Sequence, residues 1–142
     1  MSKKFKQGIY IPLNKEKYIH SKSKMNENVN YPIYRSSWEL KFFKFCDNCE
    51  KITSWMSEPF GIKYFNPIKN KTSTYYPDAL INYNGDTYLI EIKPKSQVTS
   101  QSSKSSYDIL SQKVNEAKWL AAKEFCEKKG YKFTILTDNF FK

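Results

Sequence analysis

Apolar and polar positions along this chain repeat with two periods. Between residues 37 and 50, Trp38, Phe42, Phe45, Cys46 and Cys49 recur at the spacing of one buried helix face. Ser36 stands where an N-cap belongs, and Glu39 follows three residues later, the pattern of a capping box. A second helix is predicted over 107–129, where Leu110, Val114, Ala117, Ala121 and Phe125 are spaced by threes and fours. Ser105 and Asp108 suit its start, and Gly130 suits its C′ position. Strand patterns cover 51–57 and 62–66, around a turn at Pro59–Gly61, then 75–83, 86–93 and 131–137. The predicted order is helix, four strands, helix, strand.

Asn84-Gly85 separates the two clearest strands and is a preferred pair for a two-residue type I′ turn. That turn sets Tyr83 against Asp86 and therefore Asp78 against Glu91. The register makes this a non-hydrogen-bonded pair, with Cα atoms about 4.5 Å apart. Directly opposed side chains share one face of a sheet, so two carboxylates are aimed at one point. Lys93, two residues beyond Glu91, leaves on that same face. Ile90 and Ile92 point to the other face, while Leu80 and Leu89 flank the carboxylates. Apolar residues on both faces predict a sheet covered by helices on both sides.

Two opposed carboxylates repel unless a cation lies between them, and hard oxygen donors suit a divalent metal. Carboxylates, a metal and a lysine suit phosphodiester hydrolysis. The metal polarises the phosphate and acidifies a bound water, and the lysine positions that water or stabilises developing charge. The plainer alternative has Asp78 capping a turn after Pro77 and Glu91–Lys93 as a solvated strand pair. Glu39 likewise reads either as the capping-box residue or as a further acidic side chain.

Composition narrows the partner and the chemistry. A chain of 142 residues allows one domain. Hydrophobic residues at 39% and aromatics at 17% exclude global disorder. The net charge of +10 points to a polyanion. Residues 1–35 hold eight Lys or Arg and two acids, and read as a basic N-terminal arm ahead of a single domain over 36–142. No apolar run approaches a membrane span, and no h-region follows the basic N-terminus. Three cysteines, an odd number without an export signal, predict free thiols in a reducing compartment. Cys46 and Cys49 lack companions for zinc, since Cys126 and His20 stand alone, and they are expected to fill a core. His20 is the lone histidine, which leaves carboxylates and lysine as the chemical groups. Residues 96–106 contain six serines and are expected to form a loop that orders on the ligand.

Pro77-Asp78, twelve residues, then Glu91-Ile92-Lys93 resembles the P-D-x(n)-(D/E)-x-K motif of the restriction-endonuclease-like nucleases. A narrower similarity spans 31–95. Tyr34-Arg35-Ser36-Ser37-Trp38-Glu39, Phe43, Ile52, Trp55, Ser57-Glu58-Pro59, Tyr64, Pro67, Pro77-Asp78 and Glu91-Ile92-Lys93-Pro94 together resemble the head-completion nucleases of tailed phages, relatives of TnsA-type endonucleases.

The resemblance implies an α/β fold: a restriction-endonuclease-like core whose mixed central sheet is flanked by helices, with the basic arm in front. It implies a metal-dependent DNA endonuclease using Mg²⁺, with Mn²⁺ as a substitute, that acts on phage DNA during head completion. Asp78 and Glu91 would bind the metal, Glu39 would complete the acidic cluster, and Lys93 would act on the attacking water. Gln112 would be a polar helix residue beside the site. Lys95 and Lys104 would meet DNA phosphate. Tyr34 and Arg35 would do so too, unless Arg35 pairs with a carboxylate inside the fold. Portal, head or neck proteins are further candidate partners, and a homo-oligomer is compatible with the resemblance. The implied location is the host cytoplasm during phage assembly, or the virion itself. The competing reading is a catalytically silent DNA-binding or structural head-completion protein on the same fold.

Overall fold

The structure is a computed structural model that describes residues 7–94 and 106–141, the side chains of 107 and 108 excepted. Along the chain come β1 (Gly8–Ile9), β2 (Ile33–Tyr34), α1 (Ser37–Asn48), β3 (Ile52–Ser57), β4 (Ile62–Asn66), β5 (Lys71–Tyr75), β6 (Ala79–Tyr83), β7 (Asp86–Ile92), α2 (Ser106–Lys129) and β8 (Lys132–Leu136). The central sheet has the order β3-β6-β7-β8. β3, β6 and β7 are antiparallel neighbours, and β8 joins β7 in parallel, so the sheet is mixed. β4 and β5 form a separate antiparallel ribbon, and β1 pairs with β2.

Local chemistry explains the element ends. The Ser36 hydroxyl accepts from the Glu39 N–H at 3.1 Å and caps α1. α2 stops at Gly130, which takes φ +75, the left-handed conformation of a helix C′ residue. The β6–β7 hairpin turns through Asn84 and Gly85 at φ +55 and +91, as a type I′ turn requires. Its register runs from Tyr83–Asp86 to Ala79–Ile90, as the sequence predicts.

Two expectations change. The predicted strand 75–83 is split: Tyr75 ends β5, and β6 begins only at Ala79. Residues 76–78 between them carry the chain from the ribbon into the sheet. β5 itself was not predicted, because Lys-Thr-Ser-Thr-Tyr offers one apolar side chain and no alternation.

The sheet is covered on both sides. On one face Phe42, Phe43 and Cys46 of α1 pack against Ile52, Trp55, Ala79, Ile81 and Ile90. On the other, Trp119, Ala122 and Cys126 of α2 meet Leu89 and the ribbon residues Ile62, Tyr64 and Tyr75. Leu89 and Ile90 are adjacent and serve opposite layers, the alternation of a two-sided strand. Full burial of each large side chain is worth about 1.5–3 kcal/mol, so the two layers carry most of the stability.

The described part of the arm is tied to this core. Tyr10 and Tyr18 both lie against Trp55. Asp47, fully buried near the end of α1, accepts from the Tyr10 hydroxyl and from the N–H groups of Leu13 and Asn14. Lys17 donates to the carbonyls of Asp47 and Cys49, where a helix C-terminus favours a cation. Burial alone would raise the Asp47 pKa, but these hydrogen bonds outweigh it and hold the carboxyl below its usual range.

Candidate active site

β7 presents Glu91 on the same face as Leu89, and the residue is 4% exposed. The Tyr75 hydroxyl donates to Glu91 Oε1 at 2.7 Å. Lys93 Nζ lies 3.9 Å from Glu91 Oε2. The ribbon thus supplies a hydrogen bond, and the strand supplies the cation.

Asp78 stands one residue outside the β6 ladder. Its N–H donates to the Ile90 carbonyl at 3.0 Å, and its carbonyl accepts from the Glu58 N–H at 2.9 Å. Its Oδ2 accepts from the Ile92 N–H at 2.7 Å. The sequence register put Asp78 directly opposite Glu91. In the structure the ladder ends at Ala79–Ile90, and Asp78 is turned onto the backbone on either side of Glu91. The two carboxyls still interact: burial first, and the Glu91 charge second, raise the Asp78 pKa well above the usual carboxylate range.

Glu39 lies in the first turn of α1. Its Oε1 accepts from the Arg35 N–H at 3.3 Å and its Oε2 from the Ser36 hydroxyl at 3.2 Å. Burial raises its pKa, the contacts with Arg35 and Ser36 oppose the rise, and Glu91 adds to it. Glu39 in turn contributes to the shift of Asp78. The hydrogen bonds of Glu39 are those of the cap, while its charge is felt at Asp78.

Glu58 lies within the Ser57-Glu58-Pro59 motif, and the sequence assigns it no role. It follows β3 with φ +44, a strained conformation for a side-chain-bearing residue. Its carbonyl accepts from the hydroxyls of Ser21 and Ser23. One carboxylate oxygen pairs with the Arg35 guanidinium, while the other is buried without a hydrogen-bond partner among the described residues. Of the two roles left open for Arg35, the structure shows pairing inside the fold. Burial raises the Glu58 pKa, Arg35 lowers it, and Glu39 raises it further.

The remaining predicted residues divide. Tyr34 sits in β2, with its ring so close to Gly8 that a β-carbon there would collide with the hydroxyl. Gln112 donates to Glu116 along its own helix at 3.3 Å. Lys95 and Lys104, with all but the last residue of the serine-rich segment, lie outside the described residues. The sequence did not single out Tyr75 or Lys118. Tyr75 fell inside a predicted strand, and Lys118 between two apolar helix positions, where lysine ordinarily reads as surface.

Among the described residues, no three His, Cys, Asp or Glu side chains are grouped to hold a metal ion. Magnesium is usually held by one or two carboxylates together with water and substrate phosphate. The donor set fits that mode. Asp78 and Glu91 are each oriented by one hydrogen bond, at Oδ2 and Oε1, and their carboxyls also hydrogen-bond to each other, so the two acids are close enough to share one ion. Their mutual repulsion is what a divalent cation relieves.

Residues 49–138 match the family model of the TnsA-like endonuclease N-terminal domain. The chain belongs to the TnsA-like endonuclease family. The matched TnsA-like segment runs from the end of α1 through β8 and includes Asp78, Glu91 and Lys93, with Glu39 upstream of it. Its mixed sheet between two helices is the restriction-endonuclease-like fold. The chain is also 33% identical over 143 aligned residues to the head completion nuclease of Enterobacteria phage T4. That alignment covers 93% of this TnsA-like chain and 91% of the phage protein.

Proposed function

We propose that this chain is a divalent-metal-dependent DNA endonuclease that acts on phage DNA during head completion. The observation that carries the proposal is the placing of Asp78 and Glu91 side by side with Lys93 next to them, at the end of β7 in a TnsA-like fold. The similarity to a phage head completion nuclease supports the setting. The net charge of +10 supplies the attraction for DNA.

Asp78 and Glu91 would hold Mg²⁺ or Mn²⁺, with Glu39 reaching it through water. When bound, the ion would polarise the phosphate and lower the pKa of a coordinated water. The chain's own groups do the rest. Tyr75 fixes one Glu91 oxygen, and the Ile92 N–H fixes one Asp78 oxygen, so both carboxylates enter the reaction already oriented. The Lys93 ammonium orients the attacking water and offsets charge gathering on the phosphate oxygens. Water adds to phosphorus and gives up one proton to solvent, the bond to the leaving sugar oxygen breaks, and that oxygen takes up a proton in exchange.

The test is cleavage of linear and supercoiled DNA with Mg²⁺ or Mn²⁺, against EDTA and a Glu91→Ala control. The expected result is metal-dependent cutting that disappears in the variant. Salt-sensitive DNA binding without cutting under any metal would overturn the enzymatic reading in favour of a structural DNA-binding role.

A further inference from the structure

Lys118 is placed in a way that neither its sequence nor the proposed chemistry explains. It lies on α2 one turn before Ala122, which is completely buried, so it faces the sheet rather than bulk solvent. Its ammonium sits 5.8 Å from the centroid of the Tyr75 ring and 6.0 Å from that of Tyr64. Tyr75 is the residue that holds Glu91. Lys118 is therefore carried to the edge of the Asp78–Glu91 site by the aromatic ring that orders it.

The electrostatics of this position are unfavourable for the protein alone. Burial lowers the proton affinity of Lys118, the Lys93 charge lowers it further, and Glu91 compensates only in part. No carboxylate lies within ion-pairing distance of Lys118 among the described residues. Residues 95–105 contain no acidic residue. Asp108 is ten residues earlier on the same helix, about 15 Å away at 1.5 Å per residue. Two half-buried ammonium groups thus lie near one carboxylate, Glu91, which only Lys93 approaches to ion-pairing distance. Cation–π contact with two tyrosine rings contributes only about 0.5–2 kcal/mol and leaves the charge without a counterion. A group with two anionic oxygens brought between the lysines removes the repulsion.

We propose that Lys118 is a phosphate-binding residue of this site, receiving a DNA phosphate on the α2 side of Glu91 while Lys93 serves the reacting phosphate. The proposal rests on the reading of the chain as a DNA nuclease. The Tyr64 and Tyr75 rings hold the ammonium itself, so it is positioned before DNA arrives and loses little freedom on binding.

The experiment compares the wild type with Lys118→Met, Lys118→Arg and Lys113→Met. Lys113 is an exposed lysine on the same helix and serves as the control. Duplex binding is measured in EDTA across a salt series, and cleavage is measured with Mg²⁺. Loss of one phosphate contact reduces the slope of log Kd against log salt by about 0.9. Lys118→Met is expected to show that reduction and a cleavage loss of about tenfold or more. Lys118→Arg is expected to keep the slope, and Lys113→Met to match the wild type. A merely structural lysine would change thermal stability and leave the slope alone. If Lys118→Met does not fold, Lys118→Gln takes its place. Wild-type slope and cleavage in the charge-removing variant overturn the proposal while leaving the nuclease reading intact. If the wild type binds DNA and does not cut it, the slope alone decides. If it neither binds nor cuts, both readings fall together.

Discussion

The Tyr75 hydroxyl donates to Glu91 Oε1 at 2.7 Å across a sequence separation of 16 residues, with both side chains buried. The contact joins the β4–β5 ribbon to the central sheet at the point where the carboxylates meet. Tyr75→Phe removes the hydroxyl and keeps the ring against Lys118. Losing such an orienting hydrogen bond typically costs about 10–100-fold in metal affinity or activity. The expected outcome is a cleavage loss in that range, partly recovered at higher Mg²⁺, with DNA affinity in EDTA unchanged.

Asp78 is destabilising as a charged group in the metal-free protein, since burial and Glu91 both disfavour its anion. Asp78→Asn removes the charge and retains an oxygen for the Ile92 N–H. Its melting temperature at pH 7 without metal should rise by about 3 °C, on the order of 1 kcal/mol. Cleavage should vanish. Added Mg²⁺ should raise the melting temperature of the wild type, because it binds the native state, and leave that of the variant unchanged. Calorimetry on the two proteins with and without Mg²⁺ checks all three outcomes.

Arg35 and Glu58 form a pair that is about one-third exposed on the arginine side, at 35%, and 11% exposed on the glutamate side. Breaking a fully buried pair costs about 3–5 kcal/mol. Exposure of Arg35 reduces that figure, so Arg35→Met should cost about 1–2 kcal/mol, or about 3–6 °C. The double variant Arg35→Met/Glu58→Gln should recover more than half of the loss, because no unpaired charge remains. A denaturant-based double-mutant cycle measures the coupling.

Asp47 has a depressed folded-state pKa, so the unfolded chain binds more protons than the native one as pH falls. Its contribution to stability is fully present above the unfolded carboxyl value of about 3.9 and is lost as pH drops through the folded value. Asp47→Asn should be less stable at pH 7 and should have a flatter stability profile below about pH 4. Urea midpoints at pH 7, 4 and 3 give the comparison.

The two helices and the hairpin are legible because each depends on neighbours in sequence: Ser36 with Glu39, Asn84 with Gly85, and the apolar stripes of α1 and α2. The motif residues Asp78, Glu91 and Lys93 are legible for the same reason, since one hairpin carries them. The offset of Asp78 from the ladder is not legible, because it follows from hydrogen bonds to Ile90, Ile92 and Glu58 beyond the turn. β5 is invisible because its strand character comes from pairing with β4, not from alternation. Tyr75, Glu58 and Lys118 gain their significance only from contacts across layers. A buried polar side chain looks like a surface one until its partners are known.

The segment that matches the TnsA-like family begins at residue 49, just after α1. Yet α1 supplies Phe42, Phe43 and Cys46 to the layer over Ile52, Trp55, Ile81 and Ile90, and the preceding arm closes Tyr10 and Tyr18 onto Trp55. The start of the matched segment is therefore a poor place to cut. A truncation product starting at residue 49 leaves an oily sheet face open to water, and such a product should go to inclusion bodies, whereas a boundary drawn ahead of β1 keeps the contacts of α1 and of the arm with that face.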